Sequence, residues 1–147
     1  MKVEINISEE INEPYAVIYT NEENAEIKRV AALIEDSTAG SNIITVSDNE
    51  RFFVLRPDEI YMIRVENEKT IVYSQTKKYS SGKRLYEFEN LLGNSFMRIS
   101  KSVLVNLKYL DCVEPSIGGM MLLILKNGCK DYISRKYLPA FKKYLGI

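Results

Sequence analysis

A chain of 147 residues, 46% of them hydrophobic, is long enough to bury a real core as one domain, or as one domain with a small appendage. It contains no histidine, which removes His-based triads, zincin motifs and most imidazole acid/base catalysis, and no apolar run approaches the roughly 20 residues of a membrane helix. The formal net charge of zero hides a segregation: residues 1–68 hold six cations and fifteen acids, whereas residues 69–147 hold fourteen cations and five acids.

Residues 2–7 and 14–20 alternate like two strands, separated by Pro14 and the polar stretch Ser8–Glu13. The start has no signal-peptide apolar core. Residues 22–36 carry a helical stripe, Ile27, Val30, Ala31 and Ile34, with Gly40 beyond its end. Thr20 and Glu23 suit a capping box, and Asn21 is a rival N-cap. This helix reads as packing against the first two strands.

From about residue 43 the period changes to two. Strands are expected at Ile43–Val46, Arg51–Leu55 and Ile60–Val65, with turns at Asp48-Asn49 and Pro57-Asp58. After a polar loop at Val65–Lys69, Thr70–Tyr73 and Lys77–Ser80 read as a hairpin pair. Lys83–Leu92 reads as a short helix with Leu85, Phe88 and Leu91 or Leu92 inward and Gly93 at its C′ position. Strands follow at Val103–Val105, Tyr109–Val113 and Met120–Lys126. Gly118-Gly119 makes a hairpin turn, and Asn127-Gly128 makes another that leads into a strand at Cys129–Ile133. Pro139 fits a terminal helix at Tyr137–Leu145 only if the helix starts near Tyr137, leaving Ser134–Lys136 as a tight turn. The fold class is therefore α+β and β-rich, with short antiparallel strands and short helices behind a small ββα-type first segment. The boundary falls near residues 37–42, giving a segment 1–45 and a domain 46–147.

The chemistry is sparse. Cys112 and Cys129 take inward-looking strand positions and read as core thiols, too few for a disulfide framework and consistent with a cytoplasmic setting. No Walker loop, dinucleotide fingerprint or metal-ligand spacing appears, so neither cofactor nor metal is expected, and the chain does not read as an enzyme. The carboxylates of the first half read as a solvated face, and a glycosidase-type pair stays an open alternative. Three basic or polar clusters remain: Arg98, Lys101 and Asn106 on one stretch, Arg135 and Lys136 after a strand, and Glu66–Lys69 between two strands. Arginine and lysine chelate guanine edges and asparagine chelates adenine. Asn106 equally suits an Asx turn cap. A basic second half suits a polyanion, and it equally suits solubility.

Several runs, in order, resemble one family. Ile60–Ile63 reads I-Y-M-I, Arg84–Leu92 reads R-L-Y-E-F-E-N-L-L, and Phe96–Leu107 reads F-M-R-I-S-K-S-V-L-V-N-L. Asn127-Gly128 follows, and then I-S-R-K-Y-L at Ile133–Leu138. Over roughly residues 50–147 the chain resembles the LytTR DNA-binding domains of bacterial transcription regulators, with their F-x-R-x-H-R-S-x-x-V-N pattern and V-S-R-x-Y ending. The resemblance implies a sequence-specific regulator of double-stranded DNA whose inter-strand loops enter the major groove. It implies contacts from Arg98, Lys101, Asn106, Arg135 and the neighbouring Lys136, and from the loop around Glu68 and Lys69. The family's usual histidine is Ser100 here, still able to donate to phosphate. The first 45 or so residues leave no room for a receiver domain. The chain looks like small stand-alone regulators, which implies a homodimer formed or controlled through the first segment and a small membrane protein as a candidate signal source. The rival reading is a protein- or lipid-interaction module using the basic half.

Overall fold

The computed structural model describes residues 1–12, 14–38 and 43–147, with the side chains of residues 36–38 left out. It divides into two units, Met1–Gly40 and Ser41–Ile147.

In the first unit one helix, α1 (Ala25–Thr38), forms. Its cap is Asn24, whose Oδ1 accepts from the Ile27 N–H at 3.0 Å. Neither Thr20 nor Asn21 takes that role, and Thr20 instead closes a local turn with Glu22. The expected strands at residues 2–7 and 14–20 are not strands: the described residues there run without a ladder. Their alternation supplies a face, but a strand also needs a neighbour for its N–H and C=O groups. No described side chain of this unit is buried. Gly40 lies outside the described residues.

The second unit opens with β1 (Ile44–Asp48) and β2 (Arg51–Leu55). The turn between them places Asn49 and Glu50 at φ 48° and 65°, the left-handed conformations of primed hairpin turns. A 3-10 turn at Pro57–Glu59 leads to β3 (Met62–Glu66), β4 (Lys69–Tyr73) and β5 (Lys78–Ser81). The expected polar loop at Val65–Lys69 is only the two-residue turn Asn67-Glu68, at φ 48° and 66°, because Glu66 pairs with Lys69. Then come α2 (Leu85–Leu92), β6 (Phe96–Ser100), β7 (Val103–Asn106), β8 (Leu110–Pro115), β9 (Met121–Leu125), β10 (Lys130–Ile133) and α3 (Leu138–Leu145). Gly93 follows α2 at φ 71°, a conformation that excludes most side chains.

Among the described residues two antiparallel sheets result, one of seven strands in the order β2-β1-β5-β4-β3-β7-β6 and one of three in the order β10-β9-β8. The central strands feed two cores by simple alternation. Ile63, Val72 and Leu104 join Leu85, Phe88 and Leu92 of α2, together with Ile44 and Val46. Met62, Val103 and Val105 join Leu123 and Leu125 of β9, Ile133 of β10 and Phe141 of α3. All four residues of β7 are buried, as a strand covered on both faces requires. β1 belongs to the large sheet and its Ile44 is 1% exposed, so a domain starting at residue 46 would lose a core residue.

The cysteine expectation needs correction. Cys112 is exposed and Cys129 only half-buried, and both thiols are free. A register shift between Leu110 and Cys112 breaks the alternation along β8 and turns Cys112 outward.

Candidate nucleic-acid interface

Strand pairing decides which candidate residues meet. Glu66 opposite Lys69 fixes one end of β3 and β4. Arg64 opposite Val103, and the Val65 N–H bonded to the Ser102 carbonyl at 2.8 Å, set the β6–β7 turn beside that end. The Ser134 N–H donates to the Ile99 carbonyl at 2.9 Å, so the Ser134–Lys136 turn joins them. Arg135 Nε then donates to the Gly118 carbonyl at 2.6 Å, which draws in the β8–β9 turn. Lys69, Ser100, Lys101, Arg135 and Lys136, scattered over 68 positions of sequence, thus share one end of the second unit.

Their states differ. Lys69, Lys101, Arg135 and Lys136 are exposed. Among the described residues none of the four has an acidic partner. Lys136 lies over the Tyr137 ring at 5.6 Å, which leaves its charge facing water. Lys83, two residues past β5, is a fifth exposed cation of this end, because Ser81 pairs with Thr70. Ser100 is half-buried and its Oγ accepts from the Ser102 N–H at 3.2 Å, so it shapes the turn that presents Lys101.

Two arginines here are committed internally. Arg64 reaches Asp131 at 2.9 Å and Glu66 at 2.8 Å and donates to the Tyr73 hydroxyl at 2.9 Å. Partial burial works against its charge, but Asp131, Tyr73 and Glu66 outweigh that and raise its pKa. The Tyr73 hydroxyl donates to Glu66 at 2.6 Å and, ahead of Arg64, holds that carboxyl below its ordinary pKa. This cluster ties β3 to β4 and β10, and its one cation is spent on two carboxylates. Arg98 is likewise on a strand, not on a loop. Its guanidinium is ion-paired with Glu89 of α2, and Nη1 lies 3.4 Å from the Lys101 carbonyl.

Asn106 lies apart. It ends β7 at the opposite pole, about 10 Å along the strand from Val103 at the usual rise per residue. It is 2% exposed. Nδ2 donates to the Ile60 carbonyl at 2.9 Å, and Oδ1 accepts from the Lys108 N–H at 3.1 Å. Both polar atoms of its amide are thus bonded to the frame, as a turn cap requires. Nearby, Tyr61 stacks on Tyr109 at 3.9 Å, and the Tyr109 hydroxyl donates to the Asp58 carbonyl.

Reading the sequence missed Lys83 and the role of the Gly118-Gly119 turn. The turn itself is legible from its glycines. Its service to Arg135 depends on a contact across 17 residues that leaves no local signal.

Comparison with known proteins agrees with this architecture. A family model, the LytTr DNA-binding domain, matches residues 50–146. A Staphylococcus aureus protein (strain MSSA476) named an uncharacterized HTH-type transcriptional regulator is 26% identical over 147 residues, covering 100% of this chain and 99% of its own. A similarly named protein of the bovine strain RF122 is 28% identical over 150 residues, with the same coverage. Among the described residues no two α-helices are consecutive, so the helix-turn-helix of those names has no counterpart here. A solved LytTr DNA-binding domain from Bacillus cereus, of a protein described as a methyl-accepting/DNA response regulator, superposes with a TM-score of 0.67 at 25% identity. It covers 71% of this chain and 97% of its own.

Proposed function

The chain belongs to the LytTr DNA-binding domain family, and from that premise we propose that it is a transcription regulator that reads duplex DNA with the end carrying Lys69, Lys101, Arg135 and Lys136. The observation that carries this reading is the gathering of four exposed cations without an acidic partner among the described residues, three on turns and Lys69 at the start of β4, backed by two cores. A major groove admits a two-stranded ribbon, and lysines for phosphate with an arginine for a guanine edge divide the work as such interfaces do. No helix among the described residues is long and apolar enough to cross a membrane. Action in the cytoplasm follows from DNA as the target.

Charge changes test this. Lys101→Gln or Lys136→Gln should weaken binding to specific and random duplexes about equally, and each should lower the slope of log affinity against log salt by about 1. Arg135→Ala should cost about 1–3 kcal/mol on the specific site, less on random DNA, and relax preference at one base pair. Wild-type salt slopes in the lysine variants would mean that this end does not touch a DNA backbone, and the basic half would then suit a protein or lipid surface better.

Reading by one small end also favours a homodimer on paired half-sites, since one set of turns buries little surface. The first unit is its natural seat: it has exposed apolar residues such as Val3, Ile5, Tyr15 and Val17, and no buried side chain among those described. The same surface suits a small membrane protein as a signal source. Removing residues 1–40 leaves both cores whole. The remainder should stay folded and bind a half-site, but sediment as a monomer where the full chain sediments as a dimer. A dimeric remainder would move the interface into the second unit.

A further inference from the structure

Ile117 is the most exposed large apolar side chain of the second unit, at 88%. It sits in the 3-10 turn Ile117–Gly119 between β8 and β9. Such a residue alone means little, since single exposed apolar side chains are ordinary. Its seat is what is unusual. The next residue, Gly118, is the one whose carbonyl takes the Arg135 guanidinium, and a Cβ on Gly118 would lie 3.4 Å from Arg135 Nη2. Gly118 and Gly119 stand at φ 72° and 75°, so the turn combines a left-handed backbone with an absent side chain to seat the arginine. An exposed apolar side chain is thereby held beside a fixed guanidinium, among the cations of Lys101 and Lys136.

We propose that the β8–β9 turn and Arg135 form one reading head, in which Ile117 packs on the C5-methyl of a thymine next to the base pair that Arg135 contacts. In the major groove that methyl is the one apolar group a base edge presents, and an aliphatic side chain is its natural complement. The Gly118 carbonyl aligns Arg135, so that less side-chain freedom is lost on binding. This inference rests on the DNA-reading function above and adds to it the identity of one base and the residue that reads it.

The test starts from duplexes selected out of a random-sequence library by the full-length wild-type chain. Each thymine of the recovered site is then replaced singly by uracil, which removes only the methyl. One uracil position, within one or two base pairs of the position where Arg135→Ala relaxes preference, should weaken wild-type binding by about three- to fivefold, the size of one lost methyl contact. Ile117→Ala should weaken binding to the thymine site by a similar factor, lose nothing further on that uracil duplex, and keep the wild-type salt slope, since no ion pair is lost. Because Ile117 is exposed, the variant keeps its fold, which its unfolding midpoint checks. If every uracil duplex weakens Ile117→Ala and wild type alike, the methyl contact is wrong while DNA reading stands. If the selection recovers no preferred sequence, base reading itself fails and this inference falls with it. A methyl-sensitive position far from the Arg135 position would refute the joint head.

Discussion

Replacing Phe141 with alanine is expected to cost about 3–5 kcal/mol of stability, the usual range for emptying a buried phenylalanine site. Phe141 is 0% exposed and sits in the core with Ile99, Leu123 and Ile133. Its helix, α3, has eight residues, far short of the length at which a helix persists alone in water. Docking on the core therefore keeps α3 in place, with Phe141 as its one fully buried residue and Leu138 and Leu145 packed beside it, and α3 backs the Ser134–Lys136 turn. A loss of that size is a large share of a domain's total stability. Urea unfolding should show a lower midpoint at nearly constant slope, and Phe141→Leu should lose much less. DNA affinity, measured where the variant is still folded, should fall as well. A loss under about 1 kcal/mol would mean that the site collapses onto its neighbours and that α3 is held by other contacts.

Much of the fold was legible because its decisive signals are local. Asn127-Gly128 specifies a hairpin from within the turn itself: Asn127 Oδ1 accepts from the Cys129 N–H at 3.0 Å, and Gly128 takes φ 87°. The spacing of Leu85, Phe88 and Leu92 specifies the inward face of α2, and all three are buried. The misses turn on how a segment meets its partner strand, which its own periodicity does not report. Residues 2–7 and 14–20 have strand alternation but find no ladder among the described residues, so periodicity alone does not make them strands. β6 is hidden by its cation, Arg98, and by the register shift between Arg98 and Ser100, so that a strand reads as a loop. The shift in β8 misdirects Cys112 in the same way.

The candidate site was legible in part for the same reason. Lys101, Arg135 and Lys136 fall in turns that local sequence marks, and the fold brings them together. Whether an arginine is free or spent is not local information. Arg98 is committed to Glu89, whereas Arg135 is seated on a carbonyl that leaves its charge uncompensated. The opposed readings of Asn106, base reader or turn cap, differ only in which way the amide faces at the end of β7.

Asn106→Ala decides between them, with an expected loss of about 2–4 kcal/mol. Removing the amide leaves the Ile60 carbonyl without its 2.9 Å donor and the Lys108 N–H without its acceptor, at a position 2% exposed. A buried polar group left unpaired costs about 1–3 kcal/mol, and two are orphaned here. The fraction that remains folded should bind DNA with wild-type preference, because the proposed reading end lies at the other pole of β7. Asn106→Asp sharpens the test. It keeps the oxygen that caps Lys108 but loses the donor to Ile60 and sets a carboxylate against a carbonyl in a buried place. It should therefore destabilise at least as much as alanine at neutral pH, and recover in part on acidification, when a protonated carboxyl can donate again. Wild-type stability with lost base preference in both variants would instead require that β7 ends differently on DNA, with Asn106 released to the groove.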